Sequence, residues 1–146
     1  MMKNKYHIVV VISEFNKPIT DGLLDGAQRA FNDCNGEKLS IIKVPGAFEI
    51  PATAKKVAES MKPDAIVTLG AVIKGETRHF DFISAECTRA IQSLTLEFKM
   101  PIIFGVLTTE NSKQALERSG KKDKGYEVME SAFKMIETFK DIEASS

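Results

Sequence analysis

The sequence lacks an excess of charge of either sign, because twenty Lys and Arg residues balance twenty Asp and Glu residues over 146 positions. Proteins that bind nucleic acid or anionic membranes need a basic surface, so this balance argues against both kinds of partner. The sequence also lacks a long hydrophobic run. The apolar stretch at residues 6–12 is too short, and too soon followed by polar residues, for a signal peptide or a membrane span. We therefore expect no nucleic acid, no membrane partner and, by default, a cytoplasmic location.

Cysteine and histidine are scarce, with two residues of each. Cys34 and Cys87 are not in a C-x-x-C or metal-ligand spacing, and each lies in an amphipathic run where a small thiol packs well. We expect both to be reduced and structural. His7 lies inside an apolar run and is interpreted as a packing residue. His79 and Asp81 alternate, but no cysteine or third histidine is near them, so we expect no metal.

Four short runs rich in β-branched residues recur along the chain, and each is followed by a helical pattern. The predicted strands are residues 6–12, 39–44, 65–69 and 101–107. The first helical stripe covers residues 19–31, the second begins near Ile50, the third covers 80–99, and the last covers 128–139. A short fourth helix is predicted to begin at Asn111 as N-cap, with Gln114 three residues on.

Strands that alternate with helices through short loops predict a parallel sheet covered on both faces. The continuous apolar character of the strands indicates burial on both sides. We expect a single α/β domain over residues 1–146, a three-layer flavodoxin-like sandwich with a four-stranded parallel sheet and helices on both faces. Ligands of such sheets collect at the carboxyl ends of the strands, which directs attention to residues 13–16, 45–49, 70–79 and 108–111.

Glycines, aromatic residues and titratable groups concentrate in those four segments. An apolar slot edged by Phe15 and Phe48 suits a flat heterocycle, because ring faces contribute stacking and contact area at little entropic cost. The alternative is ordinary turn chemistry with two half-buried aromatic residues. Position alone does not separate the two interpretations.

The segment at residues 70–77 nearly matches the phosphate-loop pattern G-x-x-x-x-G-K-[ST], but Glu76 stands where the phosphate-binding Lys must be. A nucleoside triphosphate site is therefore not expected. What remains is a turn of small residues that opens a helix, whose backbone amides and Thr77 hydroxyl would hold a single phosphate group. Glu76 must then turn outward, or Arg78 or Arg118 must offset its repulsion.

Two further titratable residues allow two interpretations each. His79 follows the phosphate turn, and an imidazole with an ordinary pKa of about 6.5 suits proton transfer near neutral pH; alternatively it is a solvated residue in a first helical turn. Glu49 follows Phe48 at a helix start, where the helix dipole favours a carboxylate. Its functional alternative is to accept hydrogen bonds from an amine or a ring N–H group.

Several segments in order along nearly the whole chain resemble the 6,7-dimethyl-8-ribityllumazine synthase family. The resemblance is carried by residues 15–16, 45–51, 69–77, 79–80 and 104–108, which include a P-G-A-F-E-I-P segment and a G-x-V-I-x-G-x-T-x-H segment. This combination is far more specific than any single motif above. The resemblance implies a transferase of riboflavin biosynthesis that condenses 5-amino-6-ribitylaminouracil with 3,4-dihydroxy-2-butanone 4-phosphate and releases phosphate and water.

The resemblance also implies roles for individual residues, and it implies that no cofactor or metal takes part. His79 matches the residue that transfers protons. The phosphate is expected at Glu76, Thr77 and Arg118. The pyrimidine and its ribityl chain are expected at Phe15, Ala47, Phe48, Glu49, Ala71, Val72, Ile73 and Phe104.

In the family the pocket lies between neighbouring subunits, with Phe104, Arg118 and the Lys of an Asn-Lys-Gly segment reaching across. The resemblance therefore implies a homo-pentamer, either free or closed into a sixty-subunit icosahedral shell. Here the segment at residues 123–125 reads Asp-Lys-Gly and follows Arg118 after a shorter spacing. This departure leaves open the role of Lys124 and the choice of assembly.

Two other functions compete with this one. A noncatalytic flavin- or lumazine-binding module would keep the aromatic slot and the phosphate turn, but it would have no need of His79 or Arg118. An archaeal-type riboflavin synthase of related fold is the third candidate, and the P-G-A-F-E-I-P segment together with His79 disfavours it. The presence of both His79 and Arg118 favours catalysis.

Overall fold

The computed structural model describes residues 4–76 and 78–146, and within them the chain forms a four-stranded sheet and five α-helices. Each predicted strand and helix is present. A 3-10 turn at Ala47–Glu49 connects the second strand to the second helix. The elements are β1 (His7–Ser13), α1 (Lys17–Asp33), β2 (Lys38–Val44), α2 (Ile50–Ser60), β3 (Ala65–Ile73), α3 (Phe80–Glu97), β4 (Ile102–Thr109), α4 (Ser112–Ser119) and α5 (Lys124–Ser145).

The sheet is parallel throughout, with the strand order β2-β1-β3-β4. One apolar cluster joins the sheet to α1, α4 and α5, and a second cluster joins its other face to α2 and α3. This is the predicted three-layer flavodoxin-like sandwich. The strand order reverses direction between β1 and β3, and the carboxyl ends of these two strands therefore border the crevice where such folds bind ligands.

The two central strands account for the two-sided core. The side chains of β3 are buried along its whole length, and those of β1 are buried from Ile8 to Ser13. The expectation that all four strands are buried on both faces is wrong for the edges, because Ile41 in β2 and Phe104 in β4 are exposed. An edge strand has a neighbour on one side only, and the helices that cover the sheet centre do not reach its outer positions.

The third strand is longer than its sequence predicted. Residues 70–73 were expected in a loop, but they pair in register with β4 as part of β3, from Gly70 opposite Val106 to Ile73 opposite Thr109. A turn follows, and α3 begins only at Phe80. The expectation that a small-residue turn opens the helix directly is therefore wrong, because the glycine that suggested a loop pairs as part of a buried strand.

The cap predicted for the fourth helix is confirmed. The side chain of Asn111 accepts a hydrogen bond from the backbone N–H of Gln114 at 2.9 Å, and the Gln114 side chain accepts one from the backbone N–H of Glu110. The first bond satisfies an amide in the first turn of the helix, and the second satisfies the amide of the residue just before the N-cap. In the described part of the chain, no helix combines the length and the apolar character that crossing a membrane requires.

The helices α1 and α5 approach each other closely where α5 begins. A Cβ atom on Gly125 would lie 2.0 Å from the carbonyl oxygen of Leu23 on α1. Because that neighbour is backbone, it cannot rotate away as a side chain would. Only glycine permits this contact, which fixes the start of α5 against the middle of α1.

We predict that Gly125→Ala lowers the free energy of unfolding by about 2 kcal/mol or more, because either helix must shift to make room for the methyl group. Urea denaturation followed by circular dichroism measures the change. Glu130→Ala, at an exposed position of the same helix, is the control and should change the free energy by less than about 0.5 kcal/mol. Equal stability of the two variants would contradict the close approach.

Candidate active site

A cleft at the carboxyl ends of β1 and β3 collects most of the residues expected to bind the pyrimidine. It is lined by side chains from the loop after β1, the 3-10 turn, the end of β3, the turn after it and the first helical turn of α3. Its volume is about 60 Å³. The lining residues are Phe15, Ala47, Ala71, Val72, Ile73, Glu76 and Ile83.

The aromatic edge of the cleft is held by backbone hydrogen bonds between two loops. The backbone N–H of Glu14 donates to the carbonyl of Val44 at 2.8 Å, and that of Phe15 donates to the carbonyl of Pro45 at 3.2 Å. These bonds fix the loop after β1 against the loop after β2. The Phe15 side chain remains 55% exposed, so one of its surfaces is available to a ligand.

A second part of the cleft wall is the 3-10 turn, in which Ala47 is buried and its two successors are exposed. The thiol of Cys87 on α3 donates to the carbonyl oxygen of Ala47 at 3.4 Å. Phe48 is 62% exposed. Phe48 and Glu49 do not line the cleft, although they follow directly on a residue that does.

The turn between β3 and α3 is tied to the start of α4. The backbone N–H of Lys74 donates to the carbonyl of Thr109 at 2.9 Å, and the Ser112 hydroxyl donates to the Glu76 carboxylate at 2.9 Å. Gly75 has φ of +91°, a conformation that L side chains rarely adopt. The Glu76 carboxylate therefore has a hydroxyl partner, Ser112, that sequence analysis did not single out.

The Glu76 amide is occupied within its own turn, where it donates to the carbonyl of Ile73 at 3.2 Å. This amide is not one of the free helix-opening donors that the sequence suggested. Thr77, the other residue expected to hold phosphate in this turn, lies outside the described residues. Arg118 is the third residue expected to hold the phosphate. Its guanidinium donates to the carbonyl of Thr108 at 3.4 Å.

His79 directly precedes α3 and is exposed. Its carbonyl oxygen accepts the backbone N–H of Ile83 at 2.8 Å, and its side chain does not cap the helix. Residues four apart lie on one side of a helix. His79 therefore lies on the same side of α3 as Ile83, which lines the cleft, but one helical turn nearer the N-terminus. His79 does not itself line the cleft.

A second cavity carries the cations. It has a volume of about 370 Å³ and lies between the end of β4, α4 and the start of α5. Arg118 and Lys124, both implied by the resemblance, line it, and Lys124 Nζ lies 3.2 Å from the Glu127 carboxylate. Lys122 also lines it and was not singled out, although it stands in an evident run of basic residues. Phe104 lines neither cavity.

Two buried polar atoms beside the aromatic edge have no hydrogen-bond partner within the described residues: Ser13 Oγ and Asn16 Nδ2. Unpaired buried polar groups are uncommon in folded proteins and call for a specific explanation. Asn16 also adopts a left-handed backbone with φ of +65°. The sequence directed attention to residues 13–16 but assigned Asn16 no role, and Asn16 lines neither cavity.

The chain lacks an evident metal centre in the part that is described, since no three His, Cys, Asp or Glu side chains there are grouped as metal ligands would be. The two cysteines are free thiols. His7 is half-buried and its Nε2 lies 2.9 Å from Ser40 Oγ. Burial, together with the positive charge of Lys38, lowers the pKa of His7, which agrees with a packing role.

Comparison with known proteins identifies one family. The sequence model of 6,7-dimethyl-8-ribityllumazine synthase matches residues 5–140. The protein of that name from Campylobacter curvus is 44% identical, over 98% of this chain and 94% of its own length. That from Campylobacter jejuni serotype O:23/36 is 47% identical, over 92% and 90%. A de novo designed Rossmann-fold protein aligns at 17% identity with a TM-score of 0.46, over 76% of this chain and 91% of its own.

We predict that Cys87 resists thiol reagents in the native protein, because burial raises the pKa of its thiol to about 11 and only the thiolate reacts. A Cys34→Ala variant isolates this thiol, and reaction with Ellman's reagent at pH 8 measures it. Modification should be at least about a hundredfold slower than in the same variant unfolded in guanidinium. Native and unfolded rates that agree would show that the thiol is not enclosed behind Ala47.

Proposed function

Because this chain belongs to the 6,7-dimethyl-8-ribityllumazine synthase family, we propose that it condenses 5-amino-6-ribitylaminouracil with 3,4-dihydroxy-2-butanone 4-phosphate. The chain is accordingly an enzyme, a transferase of riboflavin biosynthesis. The observation that carries the choice of substrates is the cleft that Phe15 lines together with the buried end of β3. Such a cleft suits a flat heterocycle, and the cationic cavity suits a phosphate ester.

The pyrimidine lies against Phe15, with its polar edge facing the backbone at the end of β3. Ala71, Val72 and Ile73 form the buried floor of the cleft, and small or branched apolar side chains there leave room for a planar ring. The ribityl chain runs toward the 3-10 turn, where Phe48 covers it and Glu49 accepts its hydroxyl groups. The resemblance assigns these residues jointly to the pyrimidine and its ribityl chain, with Phe15 or Phe48 stacking on the ring. We place the ring at Phe15 because Phe15 lines the cleft and Phe48 does not.

The chemistry divides into four steps that balance without an oxidant or reductant. The amine of the pyrimidine attacks the ketone, and loss of water gives an imine. Elimination then releases inorganic phosphate, and the second nitrogen closes the ring with loss of a second water. His79 carries protons in these steps from its position at the rim, and holding the two reactants together contributes a large part of the acceleration.

The phosphate group is held by cations and by the turn that contains Glu76 and Thr77. Arg118 supplies a guanidinium, whose planar donor array matches phosphate oxygens. The Ser112 hydroxyl engages the Glu76 carboxylate, which reduces its repulsion of the phosphate. Lys124 stands in the same cavity as Arg118 and adds positive charge.

The active site is completed by a second copy of the chain. A cleft of about 60 Å³ is far smaller than the roughly 300 to 1,000 Å³ of typical ligand pockets, and the cations line a separate cavity. Phe82, Phe104 and Leu116 are exposed apolar side chains, at 73%, 39% and 51%, available for contact between copies. We infer a homo-pentamer in which Phe104, Arg118 and Lys124 of one subunit face the cleft of its neighbour, either free or in a sixty-subunit shell, in the cytoplasm.

A direct assay tests the reaction and the role of His79. The wild-type protein, mixed with both substrates, should form lumazine and release inorganic phosphate in equal molar amounts. Fluorescence measures the lumazine. His79→Ala should lower kcat/KM by about a hundredfold, the size of a general acid–base contribution, while remaining above the uncatalysed rate. Product at background level from the wild type would favour a binding module, and an unchanged kcat/KM for His79→Ala across pH 6 to 8 would remove its catalytic role.

Complementation between two impaired variants tests the shared site. One chain carries Phe48→Ala and His79→Ala, and the other carries Arg118→Ala. After the two are unfolded together and refolded, some interfaces should join an intact cleft to an intact cation cavity, so that activity exceeds that of either variant refolded alone. Mixed oligomers with no gain in activity would show that each chain builds its site by itself.

A further inference from the structure

An ion pair between Arg29 and Asp123 joins the segment between α4 and α5, residues 120–123, to α1. Arg29 on α1 donates from Nη1 to Asp123 Oδ2 at 2.9 Å and from Nη2 to Asp123 Oδ1 at 2.8 Å. Its Nε donates to the Asp25 carboxylate at 2.9 Å. Two parallel bonds between a guanidinium and a carboxylate fix orientation as well as distance, so the direction of the Asp123 side chain is set by α1.

The backbone around the ion pair is adapted to it. Asp123 has φ of 51° and ψ of 49°, a left-handed conformation that aspartate tolerates better than most residues. On α1, a Cβ atom at Gly26 would lie 2.4 Å from Asp123 Oδ1 and 2.8 Å from the backbone nitrogen of Tyr126. The absence of a side chain at Gly26 therefore gives the carboxylate its place on the helix.

The ion pair has an electrostatic consequence for the cationic cavity. Lys122 and Lys124 flank Asp123 in the sequence, and both line that cavity with Arg118. One carboxylate already lines it, that of Glu127, which lies 3.2 Å from Lys124 Nζ, so the described residues of the cavity give three cations against one anion. Asp123 does not line it. A carboxylate directed into the cavity between two lysines would offset their charge and weaken the attraction for phosphate, since the energy of two charges falls only inversely with their separation.

We propose that Arg29 is a positioning residue for phosphate binding, which holds the Asp123 carboxylate on α1 and so keeps its negative charge out of the cavity that Lys122, Lys124 and Arg118 line. The inference rests on the proposed function, because it assigns that cavity to the substrate phosphate. It also explains how this chain uses Asp where the resemblance leads one to expect Asn. An amide at that position would add no negative charge beside the two lysines, whereas the carboxylate does.

Arg29→Met tests the proposal, because it removes the guanidinium but keeps an apolar stem of similar length. We expect KM for 3,4-dihydroxy-2-butanone 4-phosphate to rise about threefold to tenfold, with kcat and KM for the pyrimidine within about twofold of wild type. The double variant Arg29→Met with Asp123→Asn should return KM to within about twofold, because the freed side chain is then neutral. The control Asp25→Asn removes the other partner of Arg29 and should leave KM unchanged.

Three outcomes would overturn the proposal: an unchanged KM in Arg29→Met, equal KM values in the single and double variants, or a parallel rise in KM for both substrates. The last two would mean that the pair stabilises the helices without acting on charge. If Arg29→Met does not fold, Arg29→Lys keeps the charge with fewer donors and should show a smaller rise in KM that Asp123→Asn again removes.

Calorimetric titration with inorganic phosphate separates this inference from the proposed function. Phosphate should bind Arg29→Met more weakly than wild type, and the double variant should recover the wild-type affinity, whether or not the protein turns over substrate. A wild type that binds phosphate but forms no lumazine would refute the proposed reaction and leave the role of Arg29 standing. Equal phosphate affinity in all three proteins would refute the role of Arg29 alone.

Discussion

Burial of the two central strands on both faces is the constraint on which the rest of the structure depends. β1 and β3 are apolar along nearly their whole length, so helices must cover the sheet from both sides. Right-handed connections then send α1 to one face and α2 to the other. The chain leaves β1 and β3 in different directions, and the crevice between their carboxyl ends is a result of this divergence rather than of any one side chain.

The proposed active site is formed at this crevice by one strand end and by short loops. Rigid strand backbone supplies the floor at residues 71–73, and short loops tied by backbone hydrogen bonds supply the edges. The loop of Phe15 is held by the carbonyls of Val44 and Pro45, and the turn of Glu76 is held by Ser112 and Thr109. Reactive substrates need accurate placement more than chemical activation, and in the proposed function these ties between neighbouring loops contribute to that placement.

Charge is organised by a different part of the fold. The cations Arg118, Lys122 and Lys124 lie around α4 and the start of α5, away from the aromatic cleft. Their arrangement depends on the contact between α1 and α5, where Gly125 and Gly26 permit close approach and Arg29 engages Asp123. The start of α5 is therefore both a packing junction and a support of the cavity proposed to bind phosphate.

The sequence by itself determined the order and type of the elements, the parallel sandwich, the cap at Asn111 and the family, because apolar periodicity, capping residues and long motifs are local properties of the chain. Only the tertiary structure decided where β3 ends, that Ser112 engages Glu76, and that Asp123 turns to Arg29 instead of toward its lysine neighbours. These depend on pairs such as Arg29 and Asp123, far apart in the chain, whose meeting is set by how closely two helices pack. No local sequence pattern shows how closely α1 and α5 pack. Their separation depends on Gly26 and Gly125 facing the other helix, and that is known only once the two helices are placed together.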